Sequence, residues 1–523
     1  MVLSFLPHPV SSHSSPVTMT KAEVTSSLSS KSSMTGVPGV SEVKSEVEKR
    51  AVRKLDINLL PILTVFFFLS FIDRTNIGNA KIAGLEADLG LTDRQYKIVV
   101  TALYVPYILS EVPANLILRH VGPRWFLPTI LTVWGAITCL QGTVTNFSGL
   151  LAARFFLGMV EGPMLPCIVL YLSSFYTRQE LSLRIAAFFT STSLAGAFSG
   201  LLAAGLSKMD GVGGKSGWQW IFILEGLLTF VIGFSGYFLI PSTPAEARFL
   251  TEEEKEAITA HIERDRPVLL NGGHFHLKEV GRALISPQVV MLNIINFFDG
   301  TTIFGLAIFM PTIVNTLGFP PIRSQLLTVG PFAAAFVVTL VISWASDRYK
   351  SRTIPLVCSS VLAAIGYIMY LCTNHRFTLY GSLFLTASGV YSIPPVSCAW
   401  ISNNSEPHYR RATAIASTAV FTNCGGILST WLFPASEAPK FRNTSIINLV
   451  FILLLGLTAV ANGLMLHRFN KRKQDPARRQ ELLAPYFESV KADSESDHSR
   501  TEEANKRAWL DLGDKHPDFK YVL

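Results

Sequence analysis

Long apolar stretches separated by short polar breaks run through most of the chain, and their lengths decide the class of fold. Twelve stretches stand out, at 57–79, 97–118, 125–144, 149–172, 184–206, 218–240, 287–316, 326–345, 353–373, 378–402, 410–433 and 445–467. Each suffices for the about 20 helical residues that a hydrocarbon core demands. The pattern predicts an all-α polytopic membrane protein. A polar connector, 241–286, divides the stretches six and six. It opens "PSTPAEARFLTEEEKEAI", where Thr251 and Glu254 have capping-box spacing, so a short soluble helix is expected there. Residues 1–50 are rich in Ser, Thr and Val without periodicity and read as a disordered arm. The organisation expected is therefore an arm (1–50), a first six-helix bundle (51–240), the connector (241–286), a second six-helix bundle (287–468) and a polar tail (469–523).

Composition agrees. Hydrophobic residues make up 49% and charged residues only 16%, against about a quarter in ordinary globular domains. The net charge of +8 is carried by tails and short loops beside apolar spans. That is how membrane flanks look, and it argues against a nucleic-acid partner. All six cysteines fall inside apolar segments with no CxxC pair, so neither a disulfide framework nor a zinc site is indicated. "GVGGKSG" lacks the first glycine of a phosphate loop, because Met209 stands there. "GGHFH" offers His274 and His276 without a further ligand nearby. No nucleophile elbow, HExxH or dinucleotide fingerprint occurs, so no enzyme activity and no cofactor are expected.

The short loops carry equal numbers of Lys and Arg on the two sides and leave orientation open. "KSEVEKRAVRK" before the first span, "RFNKRKQDPARR" after the last and the basic residues of the connector decide it. By the positive-inside rule both termini are expected in the cytosol. The sequons at Asn146 and Asn443 then fall outside, too near the membrane to be good glycosylation acceptors. "LRHVGPRW" and "SDRYKSRT" follow the second helix of each half, an echo expected of an internal repeat.

Charges within the spans carry the chemistry. In "FFFLSFIDRTNIGN", Asp73 and Arg74 end an apolar run. They could cap the helix and reach for the headgroups. Small and apolar residues continue after them, however, which places the pair inside the membrane, where an ionisable group costs about 2.5–3.5 kcal/mol on insertion scales. Adjacent helical residues point about 100° apart, so the two can serve different partners. In "ARFFLGMVEGPMLPC", Arg154 and Glu161 share one stripe, and Gly158, Gly162, Pro163 and Pro166 invite close approach and a loosened backbone. Glu161 sits at mid-span, as a proton-switching acid or as a static structural one. Tyr107 and Glu111 share a face of the second span, and Glu225 and Asp299 are further intramembrane acids. Trp400, Asn403, Asn404 and Asn423 could hydrogen-bond a polar ligand, or equally join helix to helix.

The motifs together resemble the anion:cation symporter branch of the major facilitator superfamily, and within it the fungal allantoate and nicotinate permease-like group. "FIDRTNIGNA", "YILSEVPANL", "ARFFLGMVEGPMLP", "GWQWIFILEG", "FMPTIVNTLGF" and "SDRYKSR" carry the resemblance, which runs from about residue 50 to 470. It implies the major facilitator fold: twelve transmembrane helices in two pseudo-symmetric six-helix bundles. It also implies that Arg74 binds a substrate carboxylate, that Asp73 and Glu161 handle the proton, and that Tyr107 and Asn423 line the site. Asp347, Arg348 and Arg352 match the gating motif, while Arg119 and His120 depart from its first-half counterpart. Asp299 lies outside the family pattern and is a candidate for tuning selectivity.

The function expected is proton-coupled import of a small organic carboxylate by alternating access, in a multi-pass plasma-membrane protein acting as a monomer. A monoanion entering with one proton is electrically neutral, so the pH gradient drives it; a second proton would add about 2.3 kcal/mol per 100 mV. An exporter of an acidic secondary metabolite would keep the same acids. A nutrient receptor that binds without transporting is the reading from another class.

Overall fold

A computed structural model describes residues 38–265, 277–406, 408–438, 440–490, 507–509 and 512–523. His274 and His276 lie outside the described residues. The first six spans are Leu60–Ala80, Asp93–Val121, Pro123–Gln141, Phe147–Leu172, Arg178–Leu206 and Gly217–Leu239. The second six are Pro287–Thr316, Pro321–Arg348, Thr353–Cys372, 376–404, His408–Leu432 and Arg442–Lys473. Several helices overshoot the expected boundaries by a turn or so, because hydropathy registers only the part that meets lipid. Two are broken. Span four divides into Phe147–Glu161 and Met164–Leu172 around Gly162 and Pro163. Span ten divides into Arg376–Tyr391 and Ile393–Asn404, where Pro394 and Pro395 supply no backbone donor.

Glycines set the helix–helix distances inside the first half. A Cβ on Gly158 or Gly162 would strike the carbonyls of Leu103 and Tyr107, so spans two and four touch backbone to backbone. The two halves meet in the same way on the side away from the termini. Gly78 of span one lies against the Ile308 carbonyl of span seven, and Gly200 of span five against Thr328 of span eight. Gln325 Nε2 donates to the Asn79 carbonyl at 3.3 Å, and Phe332 fills the space over Gly196. This side is closed. A larger residue at Gly78 must therefore disfavour this closed arrangement, with an overpacking cost of about 1–3 kcal/mol. Gly78→Val is expected to raise labelling of a Q325C reporter by a membrane-impermeant thiol reagent about tenfold or more; unchanged labelling counts against this seam as the seal.

The terminal segments are more ordered than their composition suggests. The arm was expected to lack structure through residue 50, yet a helix, Pro38–Asn58, begins well before that. It is held by side chains: Lys54 Nζ meets Glu254 at 2.8 Å, and Arg184 grips both carboxylate oxygens of Asp56 at 2.7 Å. The connector helix Glu252–Asp265 begins with the expected capping box, Thr251 N to Glu254 Oε2 at 3.0 Å with the reciprocal bond at 3.4 Å. After span twelve the chain forms the helix Pro476–Val490, and residues 512–523 return to dock on the tail-side ends of the second half.

That docking is dense in hydrogen bonds. Asn404 pairs with both backbone groups of Val522 at 2.8 and 2.9 Å, and Asn470 with both of Tyr521 at 2.9 Å. Arg410 Nη1 reaches Asp514 at 3.1 Å. Buried His516 stacks on Trp509 at 4.2 Å and accepts the Asp518 N–H at its Nδ1, which requires the neutral ring. Burial holds its pKa below the ordinary 6.5; Asp518 opposes that, while Lys473 and Arg479 reinforce it. A base lowered on docking lends stability that is full above its free pKa and is lost as pH falls through that value. Hydrogen exchange of residues 512–523, corrected for intrinsic rates, is therefore expected to quicken as pH drops from about 7.5 to below 6.5. H516Q should flatten that dependence. Asp514, whose carboxyl burial raises despite Arg410, works in the opposite direction, so the variant separates the two.

Candidate functional site

Asp73 and Arg74 lie inside span one with a further turn and a half of helix beyond them, and both are buried, 2% and 5% exposed. Neither caps a helix end. The roughly right angle between neighbouring helical positions sends them to different surroundings. Asp73 turns into the first half, where Thr138 Oγ1 donates to its Oδ2 at 3.2 Å. Arg74 turns to the cavity between the halves and forms an ion pair with Glu161 across to span four. Ser70, one turn earlier in span one, donates to the same Glu161 oxygen at 3.2 Å. Three rings surround the Arg74 guanidinium, Phe71 at 5.5 Å, Tyr107 at 5.0 Å and Phe304 at 4.9 Å. Their faces attract the cation, and their bulk keeps water from it.

The cavity is lined from both halves. Ser70, Arg74 and Tyr107 face it from spans one and two; Asn296, Asp299 and Asn423 face it from spans seven and eleven. Its volume is about 90 Å³, well below the roughly 300–1,000 Å³ of drug-sized sites. It suits a small molecule. Phe67, Phe71, Phe189, Ile303 and Phe304 make most of the wall apolar, so the few polar groups determine orientation.

Arg154 is fully enclosed beside the Phe222 ring, 5.7 Å from its centroid, and does not line the cavity. It exchanges electrostatic influence with both Asp73 and Glu161. Its Nε and Nη2 have no hydrogen-bond partner among the described residues. Deeper in the same half, Asn79 donates to Ser199 at 2.9 Å, Ser199 donates to Asn76 at 2.9 Å, and Asn76 donates to Glu225. This relay ties span one to spans five and six. Glu225 was conspicuous in the sequence as an intramembrane acid, but the asparagines of "TNIGN" that reach it were not.

Three expected ligand contacts lie elsewhere. Trp400 Nε1 and Asn404 Nδ2 both donate to the Val522 carbonyl at 2.9 Å. They hold the docked C-terminal segment instead of a ligand, because span ten breaks above them and its lower piece turns to the tail-side surface. Asn403 is also absent from the cavity wall. Asn423 remains there, its Nδ2 bonded to the Ala419 carbonyl at 2.8 Å and its Oδ1 open. Of the gating motif, Asp347 and Arg352 pair with each other at 2.6 Å, the Arg352 N–H donates to the Leu523 carbonyl at 2.5 Å, and Arg348 is exposed. Asn296 joins Asp299 on the wall without having stood out in the sequence, although "NIINFFDG" puts them three apart on one helical face.

Two broken spans, a pseudo-repeat of six helices and a central inter-half cavity point to one architecture, and the family model described as Major Facilitator Superfamily matches residues 63–298 and 291–512. The chain belongs to that superfamily. An uncharacterized transporter of Schizosaccharomyces pombe is 35% identical over 473 residues, covering 90% of this chain and 94% of its own length. The high-affinity nicotinic acid transporter of Saccharomyces cerevisiae is 29% identical over 507 residues, covering 96% and 90%. A crystal structure of a bacterial homolog of the human lysosomal transporter Spinster, inward-facing and unoccupied, superposes with a TM-score of 0.62. That match, at 14% identity over 77% of this chain and 96% of the other, speaks for the fold alone. The protein is a multi-pass membrane transporter of the major facilitator fold and not an enzyme.

Proposed function

We propose that the protein is a proton-coupled symporter of the anion:cation type, importing a small organic carboxylate through the plasma membrane as a monomer with both termini cytosolic. The observation that carries the reading is the ion pair between Arg74, on the wall of the inter-half cavity, and Glu161, buried behind that wall. Without ligand, Glu161 supplies the carboxylate that the guanidinium requires. A proton on Glu161 cancels that attraction and frees Arg74 for a substrate carboxylate. Proton and anion thus enter the same state of the carrier, as co-transport requires and as exchange through competition for one residue would not. Asp73, held by Thr138 and influenced by Arg154, is a second proton site in this scheme. Tyr107 and Asn423 orient the ligand, and the Asp347–Arg352 pair, with Arg348, belongs to the tail-side gate. The similarity to a nicotinic acid transporter supports a carboxylic acid as cargo.

Uptake of a panel of labelled carboxylates by permease-deficient yeast expressing the chain tests the reading. Uptake that rises as external pH falls, and collapses with a protonophore, is the expected result. Transport indifferent to pH, or acid-driven efflux, overturns symport.

A further inference from the structure

We infer that the substrate carries a hydrogen-bond-donating nitrogen group besides its carboxylate, and that Asp299 receives it. The inference rests on the carboxylate reading above and narrows its substrate class. Asp299 belongs to span seven, is 0% exposed to bulk solvent and lines the cavity. Both of its carboxyl oxygens lack any hydrogen-bond partner among the described residues. A buried acid kept for structural reasons is bonded to its surroundings. Asn296, one turn earlier on the same face, shows what that looks like: its Nδ2 donates to the Leu292 carbonyl at 2.7 Å and its Oδ1 accepts from Ser397 at 3.2 Å.

The remaining polar groups of the wall narrow the chemistry. Thr192, Thr418 and Thr422 each return their hydroxyl proton to a backbone carbonyl, at 2.7, 2.8 and 2.8 Å. What stays open is asymmetric. Arg74 Nε is an open donor on the first-half wall; Asp299 Oδ1, Asp299 Oδ2 and Asn423 Oδ1 are open acceptors on the second. A ligand with a carboxylate and nothing else would satisfy the first wall and leave the acceptors buried and unpaired. One ending in an ureido, amide or amino N–H satisfies both walls. Ionised or protonated, Asp299 keeps at least one accepting oxygen. The acceptors are also preorganised, since Gly300, next to Asp299, packs directly on the Thr422 carbonyl, next to Asn423.

The test titrates the purified full chain in lipid nanodiscs with matched acids and reads apparent affinity from thermal stabilisation. Ureidoacetate is compared with isocaproate, and para-aminobenzoate with para-toluate; each pair shares a shape and differs in its N–H groups. The wild type is expected to prefer the nitrogen-bearing member at least about tenfold, as for a hydrogen bond to a charged or buried acceptor. D299A, which removes both accepting oxygens, should bring both ratios close to one while still binding isocaproate and para-toluate. D299N, which keeps one accepting oxygen and gains a donor, should fall between D299A and the wild type. A wild-type ratio near one overturns the inference even if neither variant folds. Full preference retained in folded D299A overturns it too, and in both cases the carboxylate reading stands. Failure of all four acids to bind the wild type removes the carboxylate reading and this inference with it.

Discussion

Glu161→Gln is expected to abolish accumulation of substrate against a proton gradient while leaving substrate exchange intact. The amide has nearly the size of the carboxyl and keeps an oxygen that can accept from Ser70, now 3.2 Å from Glu161 Oε1. It cannot carry the charge that holds Arg74. Charge-assisted hydrogen bonds are roughly twice as strong as neutral ones, so the variant imitates a permanently protonated site with Arg74 available on every cycle. Such a carrier binds and exchanges but has no proton to give up on resetting. Proteoliposomes loaded with substrate separate the two activities: counterflow should persist near the wild-type rate, and pH-driven accumulation should fall to background. Wild-type accumulation would show that Glu161 is not the coupling acid and would pass that role to Asp73. Loss of both activities in a folded variant would mean that the acid supports binding or the helix seam, since Gly158 and Gly162 flank it against span two.

The fold was legible because lipid imposes a length that apolar runs must meet, and span count followed from it. The break in span four was foreshadowed by Gly162–Pro163, whereas the break in span ten at Pro394–Pro395, which lack backbone donors, was not read from its unbroken apolar run. The site was partly legible. A charge within a span is costly enough to be conspicuous, so Asp73, Arg74, Glu161 and Asp299 stood out, and their placement inward followed from the same cost. Which partner each meets did not, because facing depends on rotation about the helix axis and on neighbours distant in sequence. Trp400 and Asn404 show the limit. Nothing local to "AWISNN" says that a segment more than a hundred residues later will supply its hydrogen-bond acceptors. The docked tail escaped for the same reason, since "AWLDLGDKHPDFKYVL" reads as polar sequence until Asn404, Asn470 and Arg410 are brought beneath it.

Arg74→Lys is expected to lower apparent substrate affinity at least about tenfold although it preserves the charge. A guanidinium is planar and offers its donors as a fork, so it can hold a carboxylate through two parallel bonds, each charge-assisted bond contributing about 1.5–3 kcal/mol. Its flat faces also fit between Phe71, Tyr107 and Phe304, whose centroids lie 4.9–5.5 Å away. A lysine ammonium is a compact, strongly hydrated point charge; it loses the second bond and sits poorly among three rings. Lysine is also the informative choice. Alanine would leave Glu161 buried without its cation, and breaking a buried pair from one side destabilises by about 3–5 kcal/mol, so loss of uptake would be confused with loss of fold. The measurement is concentration-dependent uptake at fixed external pH, with membrane abundance and monodispersity of the variant checked alongside. Wild-type affinity in the lysine variant would remove Arg74 from carboxylate binding and leave it as the structural partner of Glu161. A raised half-saturation with pH-driven accumulation still present assigns Arg74 to the anion and Glu161 to the proton, two roles that the ion pair joins in the resting state.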